Sequence, residues 1–224
     1  MPAAATAPAV ARRDLLPYED RLTRDWEFAM DQGGRHFGGA SDVFATLRGI
    51  ADRLTKLGVD YAVVGGMAVF RHGLPRFTED VDVLVTPDGH REIMANLRGR
   101  GYLPPFEKSK NLRDTATNVR VEFLLSGRYP GDGKPGPIAF PDPAAVSEEF
   151  DGVRYATLPA LLELKIAAAM SAPDRPKDFG DVAELIRRRD LPRDLSDRLH
   201  PHVRPDYLRL WDAVAASRER DEPG

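Results

Sequence analysis

The 224-residue sequence contains no cysteine, no long apolar run and no large excess of charge of either sign. The lack of cysteine excludes a disulfide framework and thiolate metal sites, and it suits the reducing cytoplasm in which we expect the protein to act. A membrane-spanning helix needs about 20 consecutive apolar residues. No segment approaches that length, so we expect no membrane partner. A formal net charge of -3 does not predict nucleic-acid binding by the whole surface, although it leaves room for a local basic patch.

Hydrophobic periodicity divides the chain into three parts. Residues 1–40 are predicted to form an N-terminal extension that is partly disordered. Within it, residues 1–13 are rich in alanine and proline and lack the pattern of a secretory signal, and a charged helical piece over residues 18–31 ends at Gly33-Gly34. Residues 41–157 alternate helices with short strands, and residues 158–224 are helical. This order predicts an α/β fold of the α+β type, a small mixed sheet flanked by helices with a C-terminal helical region.

Residues 61–85 carry the densest group of candidate functional side chains. A short apolar strand leads through Gly65 and Gly66 into a helix, and a turn then leads into a second strand over residues 77–85. Two glycines at such a junction either let the backbone approach a phosphate closely or serve a tight turn with positive φ. Because strand side chains alternate in direction, one face of this region is expected to carry four polar side chains, those of Arg76, Thr78, Asp80 and Asp82.

Three carboxylates form a candidate metal site. Asp80 and Asp82 point the same way from one strand, and together they can chelate Mg²⁺, which prefers oxygen ligands. The alternative, a solvated edge strand with acids placed by chance, conflicts with the valines on the other face of the strand. Glu122, in the segment VRVEFLL, supplies the third carboxylate if its strand lies beside the first. Otherwise Arg120 and Glu122 form an ion pair on an exposed face.

The helical region adds one charged pair, Lys165 and Asp178. Lys165 shares a mostly apolar helix face, so it either extends its ammonium group to water or reaches a phosphate or a carboxylate. Asp178 lies in the first turn of the next predicted helix, where the helix dipole favours an acid. The two residues therefore either complete a site or form a structural salt bridge with each other.

Taken together, these blocks resemble the DNA polymerase beta-like nucleotidyltransferase superfamily. The resemblance rests on Gly65-Gly66, on the pattern Arg-x-Thr-x-Asp-x-Asp that ends at Asp82, and on Glu122. The later segment LPALLELKIAAAMSAPDRPKDFGDVAELI is similar to the C-terminal motif of one branch, which contains the toxin nucleotidyltransferases of type IV, abortive-infection toxin–antitoxin systems. The sequence departs from the superfamily pattern at Gly66, where many members have serine, and at Glu122, where aspartate is more usual.

The resemblance implies a nucleotidyltransferase core over residues 41–157, completed by the helical region over residues 158–224. It implies that the metal is Mg²⁺, with two ions in the site and Mn²⁺ as a substitute. The implied roles are metal binding and catalysis by Asp80, Asp82 and Glu122, nucleotide binding by Gly65, Gly66, Arg76, Thr78 and Asp178, and both catalysis and nucleotide binding by Lys165.

The reaction implied by the resemblance is transfer of a nucleoside monophosphate from an NTP to an acceptor hydroxyl, with release of pyrophosphate. The toxin branch suggests tRNA or a protein as acceptor and a cognate antitoxin as partner. A candidate basic surface for RNA contains Lys108, Lys110, Arg113, Arg120 and residues 187–189. Two alternatives stay open, a small-molecule nucleotidyltransferase of the antibiotic-modifying type and a non-catalytic nucleotide-binding or antitoxin-like module.

Overall fold

A computed structural model describes residues 16–172 and 176–221. The predicted disordered tail over residues 1–13 lies outside the described residues. Within them the chain forms one mixed sheet of seven strands. The strands are β1 (Tyr61–Val63), β2 (Asp80–Val85), β3 (Tyr102–Leu103), β4 (Leu112–Asp114), β5 (Arg120–Leu125), β6 (Ser147–Phe150) and β7 (Val153–Ala156).

Helices precede, connect and follow these strands. They are α1 (Tyr18–Arg24), α2 (Trp26–Phe37), α3 (Asp42–Lys56), α4 (Gly65–Arg71), α5 (Pro87–Leu97), α6 (Pro143–Val146), α7 (Leu158–Ser171), α8 (Pro176–Arg189) and α9 (Arg204–Asp221), with a 3₁₀ helix over Arg193–Arg198. A mixed sheet with flanking helices and a C-terminal helical region confirms the predicted α/β fold class. No helix among the described residues is both long enough and apolar enough to cross a membrane.

The centre of the sheet is formed by β1, β2 and β5. The strand order is β3-β4-β5-β2-β1-β7-β6, and β2 runs antiparallel to β1 and parallel to β5. Val81 and Val83 are fully buried on one face of β2 and pair in register with Val121 and Phe123 of β5. This apolar face packs into the core, so the polar residues that alternate with it share the opposite face.

The boundaries of the strands differ from the predicted ones. The strand predicted over residues 77–85 begins only at Asp80, so Arg76 and Thr78 lie in the segment before it. The carbonyl of Arg76 accepts a hydrogen bond from His36 on α2, so this carbonyl does not extend the sheet ladder. Strand β6 has an almost fully exposed pattern, which hides the alternation that predicts a strand.

Helix α2 continues through Gly33 and Gly34, so the predicted end of the helix at these glycines is wrong. Its inward face carries Gln32 and His36, which are both buried. Gln32 accepts a hydrogen bond of 2.9 Å from the first backbone N–H of α3, and His36 donates from Nε2 to the carbonyl of Arg76 at 3.1 Å. These tertiary contacts hold the helix across two residues of low helix propensity.

Candidate active site

The parallel pairing of β2 and β5 brings the three predicted metal ligands together. The register sets Asp82 opposite Glu122 and Asp80 opposite Arg120. Paired residues project to the same face of a sheet. The carboxylate oxygens of Asp80, Asp82 and Glu122 accordingly lie within 4.8 Å of one another, and the three residues are half-buried.

Burial and the repulsion among these carboxylates both raise the pKa of Asp82. Burial, followed by the charges of Asp80 and Glu122, raises this pKa to about 7, and the positive charges of Lys165 and Arg120 offset part of the rise. Arg120 donates to Asp80 at 2.9 Å and lies 3.7 Å from Glu122, so one guanidinium already faces the three acids. An all-oxygen donor set with excess negative charge fits a hard divalent cation such as Mg²⁺.

Gly65 and Gly66 lie against this acidic group, and neither position has room for a side chain. Gly65 has φ +58°, and a Cβ atom there would be 1.8 Å from Asp82 Oδ2. A Cβ at Gly66 would be 2.6 Å from the hydroxyl of Thr78, which donates to Asp80 at 3.1 Å. The space that serine at position 66 would need is therefore occupied by Thr78, which gives a physical reason for the departure from the Gly-Ser pattern.

Lys165 and Asp178 meet at the junction of α7 and α8. The ammonium group of Lys165 is buried and lies 2.9 Å from Asp178 Oδ1 and 2.7 Å from Asp181 Oδ2. Arg76 lies 3.1 Å from the same oxygen of Asp181. The salt bridge left open as an alternative is thus present, and it belongs to a chain of four charges that ends at Arg76, beside the strand of the acids.

A cavity of about 430 Å³ joins these groups. One part of its wall is polar and contains the carboxylates, the glycines and the basic groups, whereas another part is apolar. Every residue predicted to bind metal, bind nucleotide or act in catalysis lines the cavity. Of the residues in the predicted basic surface, Arg120 alone lines it. The apolar lining is provided by Val64, Leu124, Pro130, Phe140, Leu161, Leu164 and Ala168.

Sequence reasoning missed three contributors to this site. Lys177 lines the cavity beside Asp178. Asp181 is buried between Lys165 and Arg76, and its spacing of three residues from Asp178 was the signal that both acids share one helix face. The loop between β5 and α6 supplies part of the apolar lining, and its many glycines and prolines carried no signal of such a contact.

The structure engages much of the candidate basic surface in ion pairs. Arg113 lies 2.8 Å from Glu19 of α1, and Arg187 and Arg188 both pair with Glu184. These partners offset part of the positive charge that would otherwise attract phosphates, since Arg187 and Arg188 share one glutamate. An RNA acceptor remains a prediction that rests on the sequence resemblance.

Comparisons with known proteins find similarity in solved structures. No family model and no curated protein matches the chain. An antigenic nucleotidyltransferase-like protein from Paracoccidioides brasiliensis is 18% identical over 63% of this chain and 74% of its own, with a TM-score of 0.41. The antibiotic-resistance factor ANT(2'')-Ia is 13% identical over 78% of this chain and 94% of its own, with a TM-score of 0.45. JHP933 from Helicobacter pylori is 11% identical over 75% of this chain and 92% of its own, with a TM-score of 0.39. At these identities and TM-scores the comparisons carry no argument about the substrate of this chain.

Proposed function

We propose that the protein is a metal-dependent nucleotidyltransferase that moves a nucleoside monophosphate from an NTP to an acceptor hydroxyl. The observation that carries this proposal is the meeting of Asp80, Asp82 and Glu122 on two adjacent parallel strands, at a cavity that also contains basic groups and two glycines. Such a combination suits a triphosphate, which needs cations at its oxygens and a backbone that it can approach closely.

The carboxylates would hold divalent metal ions at the polar end of the cavity. Bound there, the ions would supply Lewis-acid stabilisation of charge on the attacking and leaving oxygens. Asp80 and Asp82 would hold the ions, and Glu122 would both complete the metal site and accept the proton of the acceptor hydroxyl on a carboxylate oxygen. The raised pKa of Asp82 supports this assignment because burial, and then the charges of Asp80 and Glu122, disfavour its ionised form, and a bound cation would favour that form.

Basic side chains would neutralise the phosphates that the metals do not reach. Lys165 and Arg76 line the cavity, and their shared partner Asp181 restricts their motion. Lys165 would act as a point charge on a phosphate oxygen, with Asp178 keeping its ammonium group in position. Gly65 and Gly66 would let the triphosphate approach the backbone, and Thr78 would offer a hydroxyl at the place where other nucleotidyltransferases carry serine.

The acceptor is proposed from the sequence resemblance, which favours a toxin-like enzyme acting on tRNA or a protein in the cytoplasm, with an antitoxin as partner. The experiment is incubation of the purified protein with Mg²⁺ and each of four α-³²P-labelled NTPs, in the presence of total tRNA, cell protein or aminoglycosides. We expect label on tRNA or protein, and none with Asp80→Ala or in EDTA.

The same experiment separates the alternatives. Label on an aminoglycoside alone would assign the protein to the antibiotic-modifying class. Binding of an NTP with Mg²⁺ but no transfer to any acceptor would support a non-catalytic module. Growth arrest on expression that Asp80→Ala relieves would support the toxin role, whereas normal growth with full transfer activity in vitro would contradict it.

A further inference from the structure

A second cavity, of about 300 Å³, lies between α3, α4 and the hairpin of β6 and β7. This volume is at the lower end of the range for pockets that hold small molecules. Among the described residues, none lines both this cavity and that of the candidate active site. Helix α4 contributes to both, since it begins with Gly65 and Gly66 at the active site and ends with Phe70 and Arg71 at the second cavity. We call the second cavity the α3–α4 pocket.

The two helices contribute the same pattern of side chains to the α3–α4 pocket. On each helix, two apolar residues three positions apart are followed directly by an arginine. These residues are Phe44, Leu47 and Arg48 on α3 and Met67, Phe70 and Arg71 on α4. Residues with this spacing lie on one face of a helix. Leu47 and Met67 are buried, whereas Arg48 is exposed and Arg71 half-buried, so the pocket has an apolar interior and two guanidinium groups towards its mouth.

The positive charge of the two arginines is not neutralised by ion pairs. Among residues 16–172 and 176–221, no acid forms an ion pair with Arg48 or Arg71. Arg71 stacks on the ring of Phe150, 3.3 Å from its centroid, and the N–H groups in the plane of a stacked guanidinium can still donate. Asp151 is the one acid of the described residues that lines the pocket, so two arginines against one aspartate give the lining a net charge of +1. This charge favours an anion.

Tyr155 adds a hydroxyl group that lacks a partner. The residue is only 7% exposed and lines the pocket, and its hydroxyl has no hydrogen-bond partner among the described residues. Burial raises the pKa of this hydroxyl, and the charges of Arg71 and Arg48 oppose the rise, so both guanidinium groups act on the same part of the pocket. Buried polar groups are almost always paired. Phenylalanine would fill the same space without an unpaired hydroxyl, so the hydroxyl indicates a bound group that accepts or donates there.

Aromatic surface stands at the mouth of the pocket. Asp151 and Gly152, with φ +49° and +75°, form the two-residue turn that joins β6 to β7. This turn fixes Phe150 beside Arg71 while leaving the phenylalanine 43% exposed. A ring that entered the pocket would cover Phe150 and would meet the partly buried ring of Phe70.

We propose that the α3–α4 pocket binds a small aromatic anion, a single ring that carries a carboxylate or a phosphate group. The ring would pack against Phe70 and Phe150. The anionic group would accept hydrogen bonds from Arg48, Arg71 and the hydroxyl of Tyr155, which carboxylate and phosphate oxygens can do equally well. The volume of about 300 Å³ suits one ring with a short substituent.

Isothermal titration calorimetry of the full-length protein in EDTA, with phenylacetate and phenylphosphate as probes, tests the pocket. We expect at least one probe to bind at one site per chain with a Kd on the order of 100 µM. The tighter of the two identifies the anionic group. Benzyl alcohol, which has the ring without the charge, and acetate or inorganic phosphate, which have the charge without the ring, should bind at least about tenfold more weakly, because each satisfies half of the pocket.

Three variants connect this binding to the pocket. Tyr155→Phe should weaken it severalfold and leave the melting temperature unchanged or higher, because the hydroxyl loses no partner within the chain. Arg71→Gln should weaken it about tenfold, because a charged donor is lost. Arg154→Gln is the matched control, since Arg154 is the neighbour of Tyr155 on β7, pairs with Asp60 at 3.0 Å and does not line the pocket. It should leave the affinity unchanged.

Four results would overturn the proposal. They are the absence of binding by both probes, equal affinity for benzyl alcohol, affinity that survives both Tyr155→Phe and Arg71→Gln, and affinity that falls with Arg120→Gln but not with Arg71→Gln. The last result would place the probe in the active-site cavity. The outcome is independent of the proposed transferase activity, because the assay contains no NTP and measures no transfer.

Discussion

Lys165 Nζ lies 2.7 Å from Asp181 Oδ2, and both side chains are less than 8% exposed. The same carboxylate oxygen lies 3.1 Å from Arg76, so one acid joins the C-terminal helices to the segment that leads into β2. Removing one partner of a buried ion pair leaves an uncompensated charge, whereas removing a more exposed partner does not. This contrast makes Asp181 the structural member of the charge network.

We therefore expect Asp181→Asn to lower the free energy of unfolding by about 3 kcal/mol, because Arg76 and Lys165 lose a buried partner. Asp178→Asn should cost less than about 1 kcal/mol, because Lys165 keeps Asp181 and Asp178 is more exposed. Urea denaturation measures both values. Equal losses of unfolding free energy in the two variants would contradict the structural role assigned to Asp181. A nucleotide affinity that falls with Asp181→Asn and not with Asp178→Asn would also contradict it.

Asp82→Asn should stabilise the metal-free protein at pH 8 by about 1–2 kcal/mol, since the folded state then no longer contains a third ionised carboxylate. Because folding raises the pKa of Asp82 from 3.8 to about 7, the wild type loses stability as the pH rises from about 4 to 7. The difference in stability between Asp82→Asn and the wild type should therefore grow as the pH rises from about 4 to 7, and it should vanish near pH 4.

Thermal denaturation in EDTA across pH 4–8 measures this difference. Added Mg²⁺ should stabilise the wild type and leave Asp82→Asn unchanged. Glu107→Gln is the control, because Glu107 is an exposed acid that is not one of the three clustered carboxylates. A variant that is less stable than the wild type at pH 8 in EDTA would refute the view that charge repulsion strains the empty site.

Arg120→Gln should tighten binding of Mn²⁺ in the absence of nucleotide severalfold, because the guanidinium at 2.9 Å from Asp80 then no longer competes with the metal for its charge. Binding of the metal–NTP complex should weaken in the same variant, since a basic group of the cavity is lost. Isothermal titration calorimetry measures both affinities. Arg113→Gln, at an ion pair with Glu19 outside the cavity, should change neither.

Gly66→Ala should destabilise the protein by about 2 kcal/mol, because the new Cβ would be 2.6 Å from the Thr78 hydroxyl and 2.7 Å from its Cβ. Gly180→Ala offers the opposite case, since that helical position has no neighbour within 4 Å, and it should stabilise by about 0.5–1 kcal/mol. Thermal denaturation compares them. If Gly66→Ala is tolerated as well as Gly180→Ala, Thr78 does not limit the space at this turn.

The sequence alone determined the class of the fold. It also identified the charged residues that stand on otherwise apolar strands and helix faces. Alternation along residues 80–85 predicted a strand with valines inside and aspartates on the other face, and the structure has that strand. These features were predictable because they depend on the local periodicity of a strand or a helix. The end assigned to α2 at Gly33 was wrong because the contacts of Gln32 and His36 with distant segments outweigh local propensity.

Only the tertiary structure decided which charges meet. Whether Glu122 lies near Asp80 and Asp82 depended on which strand pairs with β5 and in which direction the two strands run. The parallel hydrogen-bonding register of β2 and β5 sets Glu122 opposite Asp82. The partners of Lys165 depended on how α7 and α8 pack together, and this packing also brings Asp181 into contact with Lys165. Periodicity acts along the chain, whereas these contacts act across it, so the sequence indicated which charged residues stand at unusual positions and did not indicate which of them meet.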